Sequence, residues 1–397
     1  MEVDGLPLSK QSVGKISEDE MRFGSLVATG LLALAVYANC SAAPTLFSWY
    51  GGKQFEKCTF SRAAYVKSAK GVVFSDKVPA REGEDAAVGV VETPQMVQGK
   101  PFDQVVPSWN SYTPDGAYVV VLVKVRIAGK WTRWYKMELY DVSDKPEPKK
   151  NLRDSDEFAR VGMDTLELKG GKKADAVQAR YELRSTDGKT YPTLKFISVN
   201  TNDPAGMFEK TEPIKSAWGT ELDIPFYSQL SVPNGNIYCS PTSTAMVLGY
   251  WAKKLKRPDM DVGVQKCVDN CVDHASPGAG HWSFNTAYAG EFADMIAYVD
   301  RYSSLSRIEW WIARGVPVIV SHDYGVLCKW KGSAGHLAVI RGFTKDGDVI
   351  FNDPWTPKDK LDQVRKVFKR ADFENCWLGT VGSQGTVYII HPEGWKL

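Results

Sequence analysis

Histidine is scarce in this chain: five in 397 residues, the first at position 274. The preceding two-thirds therefore hold no imidazole for acid–base or metal chemistry, and no acid pair there has a distinctive spacing. Charge of one sign is also missing. The formal net charge is +2, without the basic excess that a nucleic-acid partner normally requires. Long apolar runs are absent too. The one candidate, Leu26 to Tyr37, is too short for a comfortable membrane span. No Walker loop, Gly-x-Ser-x-Gly elbow or His-Glu-x-x-His pair is present, so the sequence implies neither a bound cofactor nor a resident metal.

The short apolar run has another reading. Arg22 precedes it and small residues follow to Pro44, the layout of a secretory signal peptide over 21–43. Residues 1–20 ahead of it are polar and patternless. Export permits disulfides, and of the seven cysteines four cluster late: Cys267, Cys271, Cys328 and Cys376. At least one disulfide among them is expected. A zinc site built from Cys267, Cys271, His274 and His281 is the alternative. Lipidation at Cys40 is disfavoured, because Tyr37 and Asn39 stand where a lipobox wants Leu and a small residue.

From 45 to 215 the texture is β. Ala117 to Arg126 is strongly β-prone and alternates in its second half. Gly129-Lys130 reads as a turn, with Trp131 to Met137 as the return strand. Segments 164–168, 176–184 and 193–199 add further strands. Short strands at regular spacing predict an antiparallel β-sandwich. The polar stretch 200–220 reads as a linker between separate cores, which predicts that the following domain, 222–397, folds without the first. In that domain helices come before strands, an α+β order: a helix from about 239, a helical segment around Asn285 to Val299, then strands at 316–321, 335–343 and 349–354. Residues 1–43 stand outside both domains.

One thiol organises the second domain. Tyr238-Cys239-Ser240-Pro241-Thr242-Ser243 places Cys239 at a helix start. Pro241 suits the first turn, and Ser240, Thr242 and Ser243 are candidate caps for its amides. A thiol there is stabilised as thiolate by the helix dipole. Such a nucleophile needs a base, and the base needs a group to hold its ring. His336 opens a strand, and Asp353 closes the next one after an Asp346-Gly347 turn that brings the chain back. Gln229, ten residues before the thiol, is a candidate oxyanion donor together with the Cys239 amide. Each residue alone has a plainer reading: a core thiol, a core histidine, a turn aspartate, a surface amide. All four together, at element ends, favour chemistry.

Six segments carry a resemblance. Tyr227-Ser228-Gln229, Cys239 to Thr244, Trp282 to Ala289, Gly315 to Ser321, Gly335 to Thr344 and Asn352-Asp353-Pro354 resemble secreted bacterial peptidases of the bacteriocin-processing, double-glycine peptidase-like family. The resemblance implies a papain-like fold over about 222–391, with Cys239 as nucleophile, His336 as base, Asp353 as orienting residue and Gln229 as oxyanion donor. Pro107-Ser108-Trp109-Asn110 and Asp164-Thr165-Leu166 resemble the β-rich segment found ahead of such domains. Gly280-His281-Trp282-Ser283 departs from the family's Gly-Asn-Trp-Pro, which places an extra histidine near the presumed cleft.

The expectation is thus a multidomain chain: an all-β sandwich followed by an α+β papain-like cysteine peptidase domain. It would act outside the cytoplasm or in the cell envelope on a peptide or protein, with no nucleic-acid partner and no stable membrane insertion once the signal is removed. Two alternatives stand: an amidase acting on cell-wall or isopeptide bonds with the same residues, and a non-catalytic binding protein with an idle hydrolase domain.

Overall fold

The computed structural model describes residues 44–140, 154–206, 209–272, 278–332, 334–379 and 383–396. The expected signal segment with Cys40, most of the charged loop 144–157, and His274 lie outside the described residues.

The first domain is two seven-stranded antiparallel sheets. In Ala117–Ile127 the side chains of Val119, Val121, Val123 and Val125 share one face, as the two-residue period of a strand dictates, and all are buried. They meet Trp109, Leu166, Ile197 and Val199 of the other sheet in one core. The Tyr181 hydroxyl crosses that core to donate to the Ser108 and Ser198 carbonyls at 3.2 and 2.9 Å. The return strand is broken into Lys130–Trp131 and Tyr135–Tyr140, and between them the Thr132 hydroxyl takes the Val125 N–H.

Two strands of this domain, β1 (Gln104–Tyr112) and β2 (Thr193–Asn202), are buried on both faces. Odd-numbered residues such as Val105, Trp109, Ile197 and Val199 fill the sandwich core. Even-numbered Val106 and Phe196 belong instead to the apolar core of the second domain, and Ser108, Asn110, Ser198 and Asn200 are buried with them.

The second domain is a six-stranded sheet, in the order β3 (Met295–Arg301), β8 (Thr386–Pro392), β4 (Val318–Asp323), β5 (Gly335–Phe343), β6 (Val349–Asn352), β7 (Arg365–Phe368). Against it packs α1 (Cys239–Leu255), buried at every residue from Ser240 to Ala252 because α2 (Gly263–Cys271), α3 (Trp282–Glu291) and β5 surround it. The helix expected around 285–299 stops at Glu291, and Met295 to Arg301 is β3. Its β-branched and aromatic run pairs with β8 from Met295↔Pro392 to Arg301↔Thr386.

β3 is an edge strand, and an edge presents unpaired amides that must be satisfied or covered. The first domain supplies the partners. Asn110 Oδ1 accepts from Ala297 N–H at 3.0 Å, and its Nδ2 donates to the Ala297 carbonyl at 2.7 Å. Ser108 Oγ accepts from Val299 N–H at 2.9 Å. Asp164 caps α3, taking the N–H groups of Trp282 and Ser283. The stretch expected to be a free linker is also fastened. The buried Glu309 carboxylate, on α4 (Ser306–Ile312), accepts from Ile214 N–H and Trp218 Nε1–H and pairs with Arg370 of α5 (Arg370–Leu378). The two domains therefore meet through a buried polar seam and not through a flexible tether.

Candidate active site

Cys239 is the first residue of α1, and no side chain caps that helix. The hydroxyls expected to cap it point elsewhere: Thr242 donates to the Tyr238 carbonyl at 2.7 Å, Ser243 to the Leu337 carbonyl at 3.3 Å, and Ser240 hydrogen-bonds Tyr388 at 2.8 Å. The thiol itself is half-buried. Burial disfavours its charged form, but a hydrogen bond to His336, the charge on that ring, and the N–H groups of Leu337 and Ser240 outweigh it, and its pKa falls below the ordinary thiol value.

His336 is the second residue of β5, and Asp353 directly follows β6. Pairing of Val339 with Asn352 brings the two to the same end of the sheet, where His336 Nε2 lies 2.8 Å from Asp353 Oδ1. That leaves Nδ1 as the ring nitrogen free for the thiol. Burial pulls the imidazole pKa down, but Asp353 and then Cys239 raise it to about 9. Asp353 is 1% exposed. Burial pushes its carboxyl up, yet His336 and Lys366 hold it well below the usual carboxylate range. The directions agree on a thiolate–imidazolium pair backed by a carboxylate.

Gln229 is also buried, and it is tied from two sides. Its backbone N–H donates to the Pro354 carbonyl at 3.0 Å, next to Asp353. Its side-chain Nε2 donates to the Gly235 carbonyl at 2.6 Å, four residues before Cys239. Gly235 tolerates this approach because it has no side chain; a Cβ there would stand 1.9 Å from the Gln229 carbonyl oxygen. One Nε2 proton is spent on Gly235, and the amide has a second.

Several neighbours gave no signal in the sequence. Tyr324 donates to Asp353 Oδ2 at 2.8 Å, and its ring centroid lies 4.6 Å from that of His336. Burial, then Asp353, raises the Tyr324 pKa and keeps its proton on the phenol. Lys366, on β7, reaches the same Asp353 oxygen at 2.7 Å. His322 pairs across the ladder with His336, and its own ring is buried. Burial lowers its pKa to about 3, which keeps it neutral. None of these belongs to a local motif: each is brought in by sheet pairing or by the turn after β4. His281, placed near the cleft by its position in the sequence, is turned away, with Nδ1 2.7 Å from Asp164 of the first domain.

The expected disulfide is not formed. All six described cysteines are free thiols. Cys267 and Cys271 lie one turn apart on the buried face of α2, where burial pushes both thiol pKa values up. Among the described residues no three His, Cys, Asp or Glu groups assemble a metal site, and no helix is long and apolar enough to cross a membrane.

A buried helix opening on a cysteine, followed by an antiparallel sheet that carries the histidine and aspartate, is an α+β domain of the papain-like class. Comparison with known families places it further. Residues 221–384 match the Peptidase_C39 like family, and residues 45–202 match the Peptidase C39 N-terminal domain. Both domains thus match models of the C39-like peptidases, the β-rich one as the N-terminal partner. A crystal structure described as that of a C39-like peptidase from Bacillus anthracis matches at 16% identity, over 43% of this chain and 96% of that one, with a TM-score of 0.31. No protein of curated function matches.

Proposed function

We propose that the chain is an exported cysteine peptidase that hydrolyses amide bonds with Cys239 as nucleophile, His336 as base and then acid, Asp353 as the residue that holds the imidazole, and Gln229 as oxyanion donor. The observation that carries this reading is the His336–Asp353 hydrogen bond of 2.8 Å with Cys239 bonded to the same ring. The thiolate attacks the carbonyl carbon, and the oxygen takes the negative charge. The second Nε2 proton of Gln229 and the Cys239 amide at the uncapped helix start would receive it. The C–N bond breaks as His336 gives its proton to the departing amine, leaving a thioester. His336 then takes a proton from water, whose oxygen attacks the thioester and frees the acid and Cys239. The family match over residues 221–384 supports a peptide as substrate. Export rests on the 21–43 segment alone.

The test is hydrolysis of a fluorogenic peptide panel, with purified peptidoglycan alongside. Cys239→Ala should abolish turnover. Gln229→Ala should lower it about a hundredfold, as loss of one oxyanion donor does, while leaving the pH profile of Cys239 alkylation unchanged. Turnover that survives Cys239→Ala would sink the assignment.

A further inference from the structure

Asp353 holds more partners than a group that only orients a histidine requires. Oδ1 accepts from His336 Nε2 at 2.8 Å and from the Trp355 N–H at 2.9 Å. Oδ2 accepts from the Tyr324 hydroxyl at 2.8 Å and from Lys366 Nζ at 2.7 Å, and Nζ lies 3.3 Å from the Tyr324 oxygen. β7 alternates outward Arg365 and Val367 with inward Lys366 and Phe368, so the strand period aims this one lysine inward. The carboxylate it meets is buried, unlike the exposed ion pairs whose worth is small. The other titratable groups around Asp353 are His322 on β4, Cys328 after the 324–327 turn and Cys239 on α1. Arg365 is engaged by Glu221 at 2.7 Å.

We infer that Lys366, with Tyr324, is a positioning pair for this site: it fixes the carboxylate behind His336 and places a positive charge behind the thiolate–imidazolium pair. The inference rests on the proposed roles of Cys239 and His336. A fixed cation there favours the thiolate and the carboxylate and disfavours the imidazolium. Removing it therefore moves every one of these ionisations to higher pH. A residue that merely filled space would, on removal, lower activity without translating the profile.

The readout is the rate of Cys239 alkylation by iodoacetamide in the full chain, followed by mass spectrometry across pH, which needs no known substrate. The wild type should show one inflection well below the ordinary thiol pKa, where the ion pair forms, and a second where the imidazolium deprotonates. Lys366→Met should raise both by a measurable fraction of a pH unit, up to about one, because the charge lies 2.7 Å from Asp353 and acts on the pair from behind that carboxylate. Tyr324→Phe removes a donor but no charge and should shift the lower inflection by less. Lys366→Arg keeps the charge and should restore the wild-type profile. If Lys366→Met does not fold, Lys366→Gln carries the same comparison. A folded, charge-free variant with an unshifted profile overturns the inference, as does Lys366→Arg displaced as far as Lys366→Met. A wild-type profile with a single inflection near an ordinary thiol value of about 8.5 would instead overturn the reading of Cys239 itself.

Discussion

Asn110→Ala tests whether the seam between the domains is part of the fold. Asn110 is fully buried, and its amide occupies the place of a neighbouring strand, meeting both the N–H and the carbonyl of Ala297 with a longer contact to the Thr286 carbonyl at 3.3 Å. Truncation leaves the two Ala297 groups buried on the edge of β3. Each such orphan costs about 1–3 kcal/mol, so the loss should be about 2–5 kcal/mol, allowing for partial relaxation. Ser108→Ala removes a single acceptor, that of Val299 N–H, and should cost about half as much. Urea unfolding followed by tryptophan fluorescence reads both, since Trp109 lies in the first core and Trp251 in the second. Both cores should unfold in one transition displaced to lower urea. Two separate transitions, or an Asn110→Ala loss below about 0.5 kcal/mol, the level of an ordinary surface substitution, would show that the domains are joined only by the chain and that the polar seam contributes nothing.

Two further outcomes follow from other parts of the structure. Native-state labelling with iodoacetamide at neutral pH should modify Cys239 ahead of Cys328, the other half-buried thiol, and spare Cys58, Cys267, Cys271 and Cys376; after unfolding all six should alkylate without prior reduction, and a disulfide-linked peptide pair from this set would contradict the reduced core. His322 should make the protein acid-sensitive, because its folded pKa of about 3 lies below the unfolded value of about 6.5. The unfolded state then binds the extra proton as pH falls through 6.5, and stability drops until the folded ring also titrates. His322→Phe should flatten the stability–pH slope by about 1.4 kcal/mol per pH unit between pH 6 and 4, and an unchanged slope would mean that the ring is hydrated and not held neutral.

Sequence carries the local parts of this fold well. The valines of 117–125 announce a strand by β-propensity and by the alternation of its second half, and Asp346-Gly347 implies the return that brings Asp353 beside His336. What is hidden is hidden for a physical reason. Ser108, Asn110 and Asn200 alternate with apolar residues exactly as solvent-facing positions would, and only the presence of β3 against them turns that face into an interior. The polar stretch 200–220 reads as a linker for the same reason, since the acceptor that fastens Ile214, Glu309, lies 95 residues away. Tyr324 and Lys366 have no spacing that marks them: one reaches Asp353 from the turn after β4, the other across β7. The helix expected through Val299 stops at Glu291, and pairing with β8 makes Met295–Arg301 a strand instead.

The Ser-Pro-Thr-Ser-Thr stretch joins these observations. A helix start rich in Ser and Thr ordinarily signals capping, in which side-chain oxygens consume the free amides. Here the hydroxyls turn inward. Ser240 meets Tyr388 on β8, Ser243 meets the Leu337 carbonyl on β5, and Thr244 reaches Asn285 on α3. These bonds anchor the first turn of α1 to the sheet on one side and to α3 on the other, and α3 is itself capped by Asp164 of the first domain. The amides at the helix start are thereby kept from side-chain caps, and the dipole is left to act on whatever negative charge lies there. Immobilising the turn and leaving its amides uncapped are opposing demands for polar side chains at a helix start. This sequence meets both by directing its hydroxyls into the core, which is why Ser240, Thr242, Ser243 and Thr244, though polar, are all buried.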